Sequence, residues 1–447
     1  MNFQEGAGIP ASSQDGEAQT NACVGHQPGR APADSSFKSD PHPGKPKILF
    51  IGLAESTHTH SWIDLLEGAG FNVRLFALPS GVPPDDWQVR TYITSYYHAA
   101  LDPPTRAALH PSNRAARFAK RQVARARGVR TVEELAEQWL AKVVREWQPD
   151  VVHTLGLDPS GDFYFRARRK YRLEGIGRWV LQTRGGSDLA LTHLDPSRRD
   201  QVAEVLRTCD QLLSDNRENF RIARSMGVRE DQFSRIGTVP GTGGIDVDTL
   251  ARKWDGTPSS RRLVLVPKVY ECMWAKTLPV YEAIRLCWER IQPCEIHLLS
   301  MNWEAIQWYW ALPEHIRRAC HAHARLPRAR VLEMMTGARV MLAPSLIDGT
   351  PNSMFEAMAA GALPIVSPLE TITPVAEQET NVLFARNLYP HEIAEALCRA
   401  MSDDALVDGA AERNLELVRR LADRSKIKPR VVEFYETLAK ESRGVSA

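Results

Sequence analysis

The sequence predicts an α/β fold with two doubly wound, Rossmann-like domains. The chain has 447 residues, more than a typical single domain, and its 43% hydrophobic content suffices for two cores. Short apolar runs alternate with amphipathic helical patterns along most of its length. Residues 339–367 contain a complete strand, loop, helix and strand, and both strands are wholly apolar, as in parallel sheets covered by helices on both faces.

The composition argues against a nucleic-acid-binding, a zinc-binding and a membrane-spanning protein. The 56 basic and 54 acidic residues leave a net charge of +2, which provides no overall attraction to nucleic acid. The seven cysteines include no C-x2-C pair and no Cys/His spacing typical of zinc, so we expect reduced thiols in a cytoplasmic protein. No run approaches the roughly 20 apolar residues of a spanning helix, and no signal peptide is visible. We therefore expect a soluble or peripherally membrane-bound protein.

The N-terminal part begins with a tail and continues with a βα unit. Residues 1–44 are rich in Gly, Pro, Ser, Asp and Gln, a composition that predicts disorder. Apolar runs at 47–53 and 72–78 predict strands, and a helical pattern lies between them. His58 and His60 have the spacing of metal ligands, but no carboxylate or cysteine accompanies them. A sugar-binding or N-cap role is favoured for both.

Residues 106–130 form a strongly basic segment. Eight arginines and lysines are interleaved with alanines and with Phe118 and Val123. A solvated helix face is the simplest interpretation. The alternative is a basic amphipathic helix that rests on an anionic membrane surface.

The remaining N-terminal patterns repeat the alternation of strand and helix. They predict a helix at 131–147, a strand at 151–156 that contains His153, a strand running into a glycine turn at 179–189, and a strand and helix at 211–228. Asp215 or Asn216 suits the N-cap of the last helix. Gly243 and Gly244 then permit either close approach of the backbone to a ligand or a sharp crossing between domains.

The second domain opens with a buried strand at 263–268. Lys268 ends this strand and Lys276 follows in the next loop. Two cations beside a phosphate-binding helix terminus could neutralise a diphosphate and stabilise it as a leaving group. The alternative is a pair of ordinary surface lysines. Further strands are expected at 295–301 and near 382, and a βα junction at 325–335 would lie against a nucleotide base.

Residues 339–367 contain the clearest helix start and stop signals in the chain. Thr350 suits a helix N-cap and Pro351 the first helical position, while Gly361 suits the left-handed residue after the helix. The helix therefore begins at the carboxyl end of a strand. Free backbone N–H groups of Asn352, Ser353 and Met354 could bind a phosphate there.

Glu356 is the only charged residue of this helix. An unpaired carboxylate among Met, Phe and Ala side chains is costly, so polar partners are expected. Complementing the helix dipole is the simple explanation, but that effect fades after the first turn, and Glu356 lies in the second. Because helical side chains lean toward the N-terminus, its carboxylate could accept two hydrogen bonds from a vicinal diol such as a ribose.

Together these residues resemble the Glu-x7-Glu signature of family 4 retaining glycosyltransferases of the GT-B fold. The matching positions are Asp348, Gly349, Pro351, Glu356, Ala357, Met358, Gly361 and Pro364. The resemblance implies that Glu356 holds the nucleotide ribose and that Asp348, which replaces the family's glutamate, approaches the donor sugar. It also implies that Lys268 and Lys276 are the family's basic pair.

Weaker similarities lie earlier in the chain. Residues 184–188 resemble a G-S-D loop that faces the interdomain cleft in several members, although a plain glycine turn capped by Asp188 explains them equally well. Residues 243–246 resemble the glycine-rich domain hinge. His153 lies where a histidine often lines the acceptor side, but Leu155 occupies the place of the second histidine of the usual H-x-H.

The resemblance implies two domains facing a central cleft, and we expect the following division. Residues 45–245 would bind a glycan or lipid-linked acceptor, 246–415 would bind a UDP- or GDP-sugar, and 416–447 would pack back toward the N-terminal domain. It also implies a metal-independent, cofactor-free retaining transfer in glycan, polysaccharide or glycolipid biosynthesis. The expected location is the cytoplasm, with the cytoplasmic face of the membrane as the alternative.

Two rival interpretations are open. A catalytically inactive homologue could bind a nucleotide sugar as a scaffold, because Asp348 and the missing second histidine depart from the family pattern. A nicotinamide-dependent dehydrogenase would show a G-x-G-x-x-G after the first strand, and none is present. Asp246 and Asp248 spell D-x-D, a metal motif of another glycosyltransferase fold, which alone is too common to indicate a metal.

Overall fold

The computed structural model describes residues 37–79, 81–96, 106–112, 114–126, 131–185, 188–323 and 326–445. Within them, two parallel sheets are each covered by helices on both faces, which confirms the predicted α/β class. The strands of the first sheet are β1 (Lys47–Gly52), β2 (Asn72–Ala77), β3 (Arg90–Thr94), β4 (Ala107–His110), β5 (Val151–Leu155), β6 (Arg178–Thr183), β7 (Gln211–Ser214) and β8 (Phe233–Thr238). The strands of the second are β9 (Leu263–Val266), β10 (Glu295–Leu299), β11 (Cys320–His323), β12 (Ala338–Ala343), β13 (Leu363–Val366) and β14 (Leu383–Phe384).

The helices connect these strands. They are α1 (Thr57–Ile63), α2 (Arg114–Ala126), α3 (Val132–Trp147), α4 (Asp162–Lys170), α5 (Leu189–Thr192), α6 (Arg199–Thr208), α7 (Arg217–Ser225), α8 (Val247–Ala251), α9 (Leu278–Ile291), α10 (Trp303–Trp310), α11 (Glu314–Arg317), α12 (Arg328–Thr336), α13 (Asn352–Ala359), α14 (Pro390–Ser402), α15 (Asp404–Leu421) and α16 (Arg424–Val445). In the described part of the chain, no helix is long and apolar enough to cross a membrane.

Both sheets have the doubly wound order. The first runs β4-β3-β2-β1-β5-β6-β7-β8 and the second β11-β10-β9-β12-β13-β14. Side chains of β1 alternate between two cores: Leu49 and Ile51 pack with α3 and α4, while Ile48 and Phe50 face α1 and α16. Because both faces of such a strand are buried, its sequence is a continuous apolar run and does not alternate between apolar and polar residues.

Both ends of the described chain pack on the first domain. On α16, Val431 and Tyr435 share a core with β1, so the last helix crosses back to the first sheet. Residues 37–44 depart from the expected disordered tail. The ring of Phe37 packs 4.9 Å from that of Tyr92, and Asp40 forms an ion pair with Arg74 at 2.9 Å. Residues 1–36 of that tail lie outside the described residues.

The basic segment contains α2. Phe118 and Val123 on this helix are 67% and 50% exposed, so apolar side chains lie in solvent among the cations. Arg127 and Arg130, which belong to the same predicted segment, lie outside the described residues.

Candidate functional site

A cavity of about 620 Å³ lies between the two domains. Its walls come from loops that follow strand carboxyl ends: those after β1, β6 and β7 on one side, and those after β9, β10 and β12 on the other. Parallel strands of doubly wound sheets end at the same edge, where ligands bind in such folds. The topology therefore places the cavity where the sequence predicts a ligand.

The predicted strand, loop, helix and strand of residues 339–367 are β12, α13 and β13, but the helix start differs in detail. Pro351 has extended backbone angles and is itself the N-cap. The hydroxyl of Thr350 donates to the carbonyl of Thr371 at 3.1 Å, so it does not cap the helix as predicted. Gly361 has the expected positive φ, 80°. Thr350 and Pro351 both line the cavity.

Glu356 lies on α13 at the wall of the cavity. It is largely buried, and its Oε1 accepts a hydrogen bond at 2.5 Å from Nη2 of Arg328, the first residue of α12. Burial raises the pKa of Glu356, and the Arg328 guanidinium opposes that rise. Both residues line the cavity, so the second carboxylate oxygen remains available to accept a ligand hydroxyl.

The amino end of α13 has free donors. In the described residues, the backbone N–H groups of Asn352 and Ser353 have no hydrogen-bond acceptor, and neither has the buried hydroxyl of Ser353. Met354 differs from the prediction. Its N–H donates to the carbonyl of Pro351 at 3.0 Å and its side chain is fully buried in the core, so it does not face a ligand.

Lys268 and Asp348 form an ion pair that lines the cavity. Burial alone would lower the pKa of Lys268, but the adjacent carboxylate outweighs this effect and holds the pKa above its ordinary value. The ammonium is therefore charged at neutral pH and lies beside the amino end of α13. This is the position that the sequence predicts for a diphosphate-binding cation.

Lys276 does not line the cavity, in contrast to the prediction. Its backbone N–H donates to Oδ1 of Asn387 at 3.0 Å, and its ammonium lies 3.7 Å from Oε2 of Glu271, 40% exposed. The residues between the two lysines carry its side chain away from the cleft. The simpler interpretation, a surface lysine, describes its position.

The opposite wall belongs to the first domain. Arg184 is packed into this wall and donates to the carbonyl of Leu155 at 2.7 Å. Asp188 accepts backbone N–H groups of Leu157, Asp158 and Arg184, so it pins the loop in place, and burial raises its pKa to about 6. Gly186 and Ser187 of the predicted G-S-D loop lie outside the described residues.

Asp215 faces the cavity from the end of β7. Its carboxylate accepts the N–H of Gly185 at 2.9 Å and the side-chain amide of Asn216 at 2.7 Å. Burial raises the pKa of Asp215 to about 7. Asn216 is the N-cap of α7, since its Oδ1 accepts the N–H of Asn219. Asp215 was considered only as a cap from the sequence, and its place in the cleft depends on how the domains meet.

Gly349 lies where the two walls touch. A Cβ added at Gly349 would be 2.5 Å from Cα of Gly185 and 2.8 Å from Oδ2 of Asp215. Only glycine permits this approach. Gly349 therefore makes a close contact between the domains, and its predicted role in ligand binding stays a prediction.

His58 lines the same cavity. It lies within α1, whose N-cap is Ser56, so the predicted N-cap role is wrong and the sugar-binding role stays a prediction. Its ring is accessible from the cleft. Loss of hydration in the cleft lowers the pKa of His58 to about 4, and the positive charges of Arg184, Lys268 and Arg328 contribute to this shift. The imidazole is therefore neutral at pH 7 and can donate or accept a hydrogen bond.

His153 is not part of the cleft, which corrects its predicted acceptor-side role. It is fully buried in the middle of β5, and its Nδ1 makes a 2.5 Å hydrogen bond with the hydroxyl of Tyr435 on α16. The indole of Trp62 donates to the same hydroxyl at 3.0 Å. Burial lowers the pKa of His153 well below its usual value. The strand turns this side chain toward the last helix.

Gly243 and Gly244 form a domain crossing and do not line the cavity. Both have positive φ. A Cβ at Gly243 would lie 2.2 Å from Cδ1 of Leu65, and one at Gly244 would lie 2.6 Å from the carbonyl of Ala422. The sharp crossing predicted from the sequence describes both glycines. Gly244 also lines a second cavity, which it shares with Arg328, so close approach of the backbone to a ligand stays a prediction.

The chain is similar to known proteins in sequence and in structure. A sequence profile described as "Glycosyl transferases group 1" matches residues 281–403, which include most of α9 and all elements from β10 to α14. No curated protein matches the sequence. Solved structures are similar in fold. Sucrose-phosphate synthase from Thermosynechococcus elongatus has a TM-score of 0.64 at 14% identity, covering 88% of this chain and 99% of that one.

Two further similar structures have the same two-domain architecture. Alr3699/HepE from Anabaena, solved in complex with UDP-glucose, has a TM-score of 0.60 at 12% identity, with 88% and 99% coverage. α,α-Trehalose 6-phosphate synthase from Burkholderia multivorans has a TM-score of 0.56 at 13% identity, with 90% and 99% coverage. The fold is GT-B. At these identities the structural similarity establishes the architecture only. The reaction depends on the side chains that line the cleft.

Proposed function

We propose that this protein is a glycosyltransferase that moves a sugar from a nucleoside diphosphate sugar to a hydroxyl of an acceptor bound in the cleft. The observation that carries the proposal is the position of Glu356. Its buried carboxylate, oriented by Arg328, borders the cavity beside the free N–H groups at the start of α13. A ribose diol on the carboxylate would place the attached diphosphate at the helix terminus.

The charges around the cavity suit a diphosphate. Lys268, Arg184 and Arg328 line it, and the positive end of α13 opens onto it. Cations and oriented N–H groups in a partly enclosed site stabilise negative charge more strongly than they would in water. This set supports a transfer that needs no metal ion.

The comparisons support the donor class. The group 1 glycosyltransferase profile covers most of the domain that contains α13. The structurally similar Alr3699/HepE was solved with UDP, with UDP and glucose, and with UDP-glucose. We therefore propose a UDP-sugar as the donor, with a GDP-sugar as the alternative.

In the proposed reaction, an acceptor hydroxyl attacks the anomeric carbon while the bond from that carbon to the diphosphate oxygen breaks. The leaving diphosphate takes the electron pair, and Lys268 and the α13 terminus stabilise it. The same diphosphate accepts the proton of the hydroxyl. Retention of the anomeric configuration is proposed from the resemblance to family 4. Asp348 would exchange its contact with Lys268 for one with the donor sugar.

The acceptor is proposed to be a glycan or a lipid-linked sugar. The first domain would bind it opposite the donor. The exposed Phe118 and Val123 on the basic helix α2 support a peripheral contact with anionic membrane, because apolar side chains can enter the headgroup region while cations bind the lipid phosphates.

A second candidate, an inactive nucleotide-sugar-binding homologue, is favoured by one observation. Lys268 is engaged by Asp348, and this ion pair offsets the positive charge that a diphosphate would meet. The inactive homologue would bind the donor with the pair closed and would not release nucleotide.

A two-stage experiment tests the proposal. Thermal shift and calorimetry with UDP, GDP and ADP establish which nucleotide binds, and UDP is expected to bind most tightly. Release of UDP from UDP-sugars, with and without simple glycoside acceptors, then separates the two candidates. Binding without turnover across the panel supports the inactive homologue, and failure of all three nucleotides to bind contradicts the proposed function.

A further inference from the structure

A group of imidazoles and one carboxylate lies on the outer strands of the second sheet. β10 carries Glu295 and His297, and β11 carries His321 and His323. Each pair has the i, i+2 spacing that places both side chains on one face of a strand. Since His297 is directly opposite His321 in the parallel register, all four side chains meet on one surface.

The distances are those of a ligand set. One ligand atom each from Glu295, His297 and His321 lie within 4.8 Å of one another. The carboxylate Oε2 is 3.5 Å from Nε2 of His297, and the ring centroids of His297 and His321 are 4.8 Å apart. Small side-chain rotations would bring these atoms to the roughly 2 Å metal-to-ligand distances of a zinc site.

His323 contacts His297 on the side of the ring that faces away from Glu295. Its Nε2 is 3.0 Å from Nδ1 of His297, on the side of the ring opposite the carboxylate. Histidine ligands usually make such a hydrogen bond through the nitrogen that does not bind the metal, and this bond fixes the tautomer and the ring orientation. Among the described residues, His297 thus has one nitrogen held by a partner and the other directed into the cluster.

The donor set indicates the kind of metal. Cys320 alternates to the opposite face, where it is buried in the core, so the cluster itself offers nitrogen and oxygen but no thiolate. Imidazole with one carboxylate suits Zn²⁺ and neighbouring first-row ions, whereas Mg²⁺ and Ca²⁺ prefer oxygen ligands alone. Arg330 lies nearby, but its charge is offset by an ion pair with Glu333 at 2.7 Å.

We propose that Glu295, His297 and His321 bind a divalent first-row transition metal, Zn²⁺ in the first instance, with His323 as the positioning residue for His297. The metal would tie the four-residue edge strand β11 to β10. Glu295 begins β10, whereas the cleft cavity lies beyond the opposite, carboxyl end of that strand, at Ser300. The site is therefore separate from the proposed donor site and is independent of the proposed function.

The test uses the untagged full-length chain after removal of bound metal with a chelator. Isothermal titration with Zn²⁺ should show one site per chain. Co²⁺ bound there should give visible d–d bands without thiolate charge-transfer absorption, as nitrogen and oxygen ligands do. His321→Ala and Glu295→Gln, both exposed positions, should each weaken Zn²⁺ binding at least about tenfold. His323→Ala should weaken it about tenfold through loss of the orienting bond.

A matched control comes from His391, an exposed histidine on α14 far from the cluster in sequence. His391→Ala should leave Zn²⁺ affinity unchanged, and a millimolar excess of Mg²⁺ should not compete. Thermal shift with Zn²⁺ gives a second readout, since stabilisation should be present in the wild type and lost in the His321→Ala variant. Zn²⁺ affinity that is equal in wild type and in the Glu295→Gln, His321→Ala double variant, or thiolate bands with Co²⁺, would overturn the proposal.

Discussion

Two buried polar residues, Glu356 and His153, invite comparison because each lies among apolar neighbours and each suggests a site from the sequence. Glu356 is on α13 and borders the cleft cavity, with Arg328 as its partner. His153 is in the middle of β5 and is enclosed by Tyr435, Trp62 and Phe50. One polar group contacts a cavity, while the other is part of a closed core.

The difference follows from geometry. A helical side chain near the amino end leans toward that end, so Glu356 reaches the cleft into which α13 opens. A strand side chain stands perpendicular to its sheet, so His153 meets whichever helix covers that face. That helix is α16, which is 282 residues away at the bonded tyrosine. Burial of a polar residue therefore does not by itself indicate a ligand site; the side chain must also border a cavity, as that of Glu356 does.

The largest expected effect is a loss of turnover when Lys268, which lines the cleft, is replaced, compared with replacement of the surface residue Lys276. Lys268→Ala should lower the turnover of a UDP-sugar by about 10²–10³, because a cation at the leaving group is lost. The measurement is steady-state release of UDP. Lys276→Ala is the matched control, since its exposed side chain lies outside the cavity and its removal should leave turnover within about twofold. Equal effects of the two substitutions would contradict the distinction made here.

The next effect concerns donor binding. Glu356→Gln should raise the dissociation constant of UDP about 10- to 100-fold, because hydrogen bonds to a charged acceptor are replaced by weaker ones and Arg328 loses its partner. Calorimetry measures the constant. Glu395→Gln, an exposed change on α14, serves as the control. UDP affinity that does not change in the Glu356→Gln variant would exclude the ribose assignment.

Tyr435→Phe tests the other half of the comparison. Removing the hydroxyl leaves His153 and Trp62 without their shared partner in the core, so the free energy of unfolding should fall by about 1–2 kcal/mol. Denaturant titration measures this loss. UDP affinity at a temperature where the variant is folded should be unchanged. A loss of affinity would indicate that His153 contributes to the cleft after all.

The smallest effect is a pH dependence. Burial raises the pKa of Glu356, and its ionised form is the better acceptor of two ribose hydroxyls. UDP affinity should therefore be full at neutral pH and decline a few-fold as the pH falls toward that raised pKa. The ratio of wild-type to Glu356→Gln affinity isolates this contribution from protonation of UDP itself. A ratio that does not change with pH would contradict it.

Much of the fold was predictable because local signals agreed. Wholly apolar runs mark β1, β9, β12 and β13, and Thr131 caps α3 through the capping box with Glu134, as the pattern at 131–147 indicates. The α13 unit was predicted within one residue at its start. The errors there, Thr350 as the cap and Met354 as a donor, arise because the cap depends on which partner a side chain finds in space.

The site was predictable on one side only. Lys268, Asp348 and Glu356 are close in space because they belong to adjacent strand ends of one sheet, which a parallel topology implies. The sequence contains no signal for Arg328, which begins α12 without a distinct motif. Asp215 faces the cleft only because the domains meet at Gly349. The E-x-H and H-x-H pairs at 295–297 and 321–323 also went unrecognised, as their meaning depends on strand pairing.

The sequence by itself determined the two doubly wound sheets, the start of α13 to within one residue and the buried charge at Glu356. Apolar periodicity and the cost of an unpaired charge act over only a few residues, so local patterns record them. Only the tertiary structure decided that His153 belongs to a core, that Lys276 points away from the cleft, and that Gly243 and Gly244 form a crossing. Those outcomes depend on contacts between residues far apart in the chain, which local patterns do not encode.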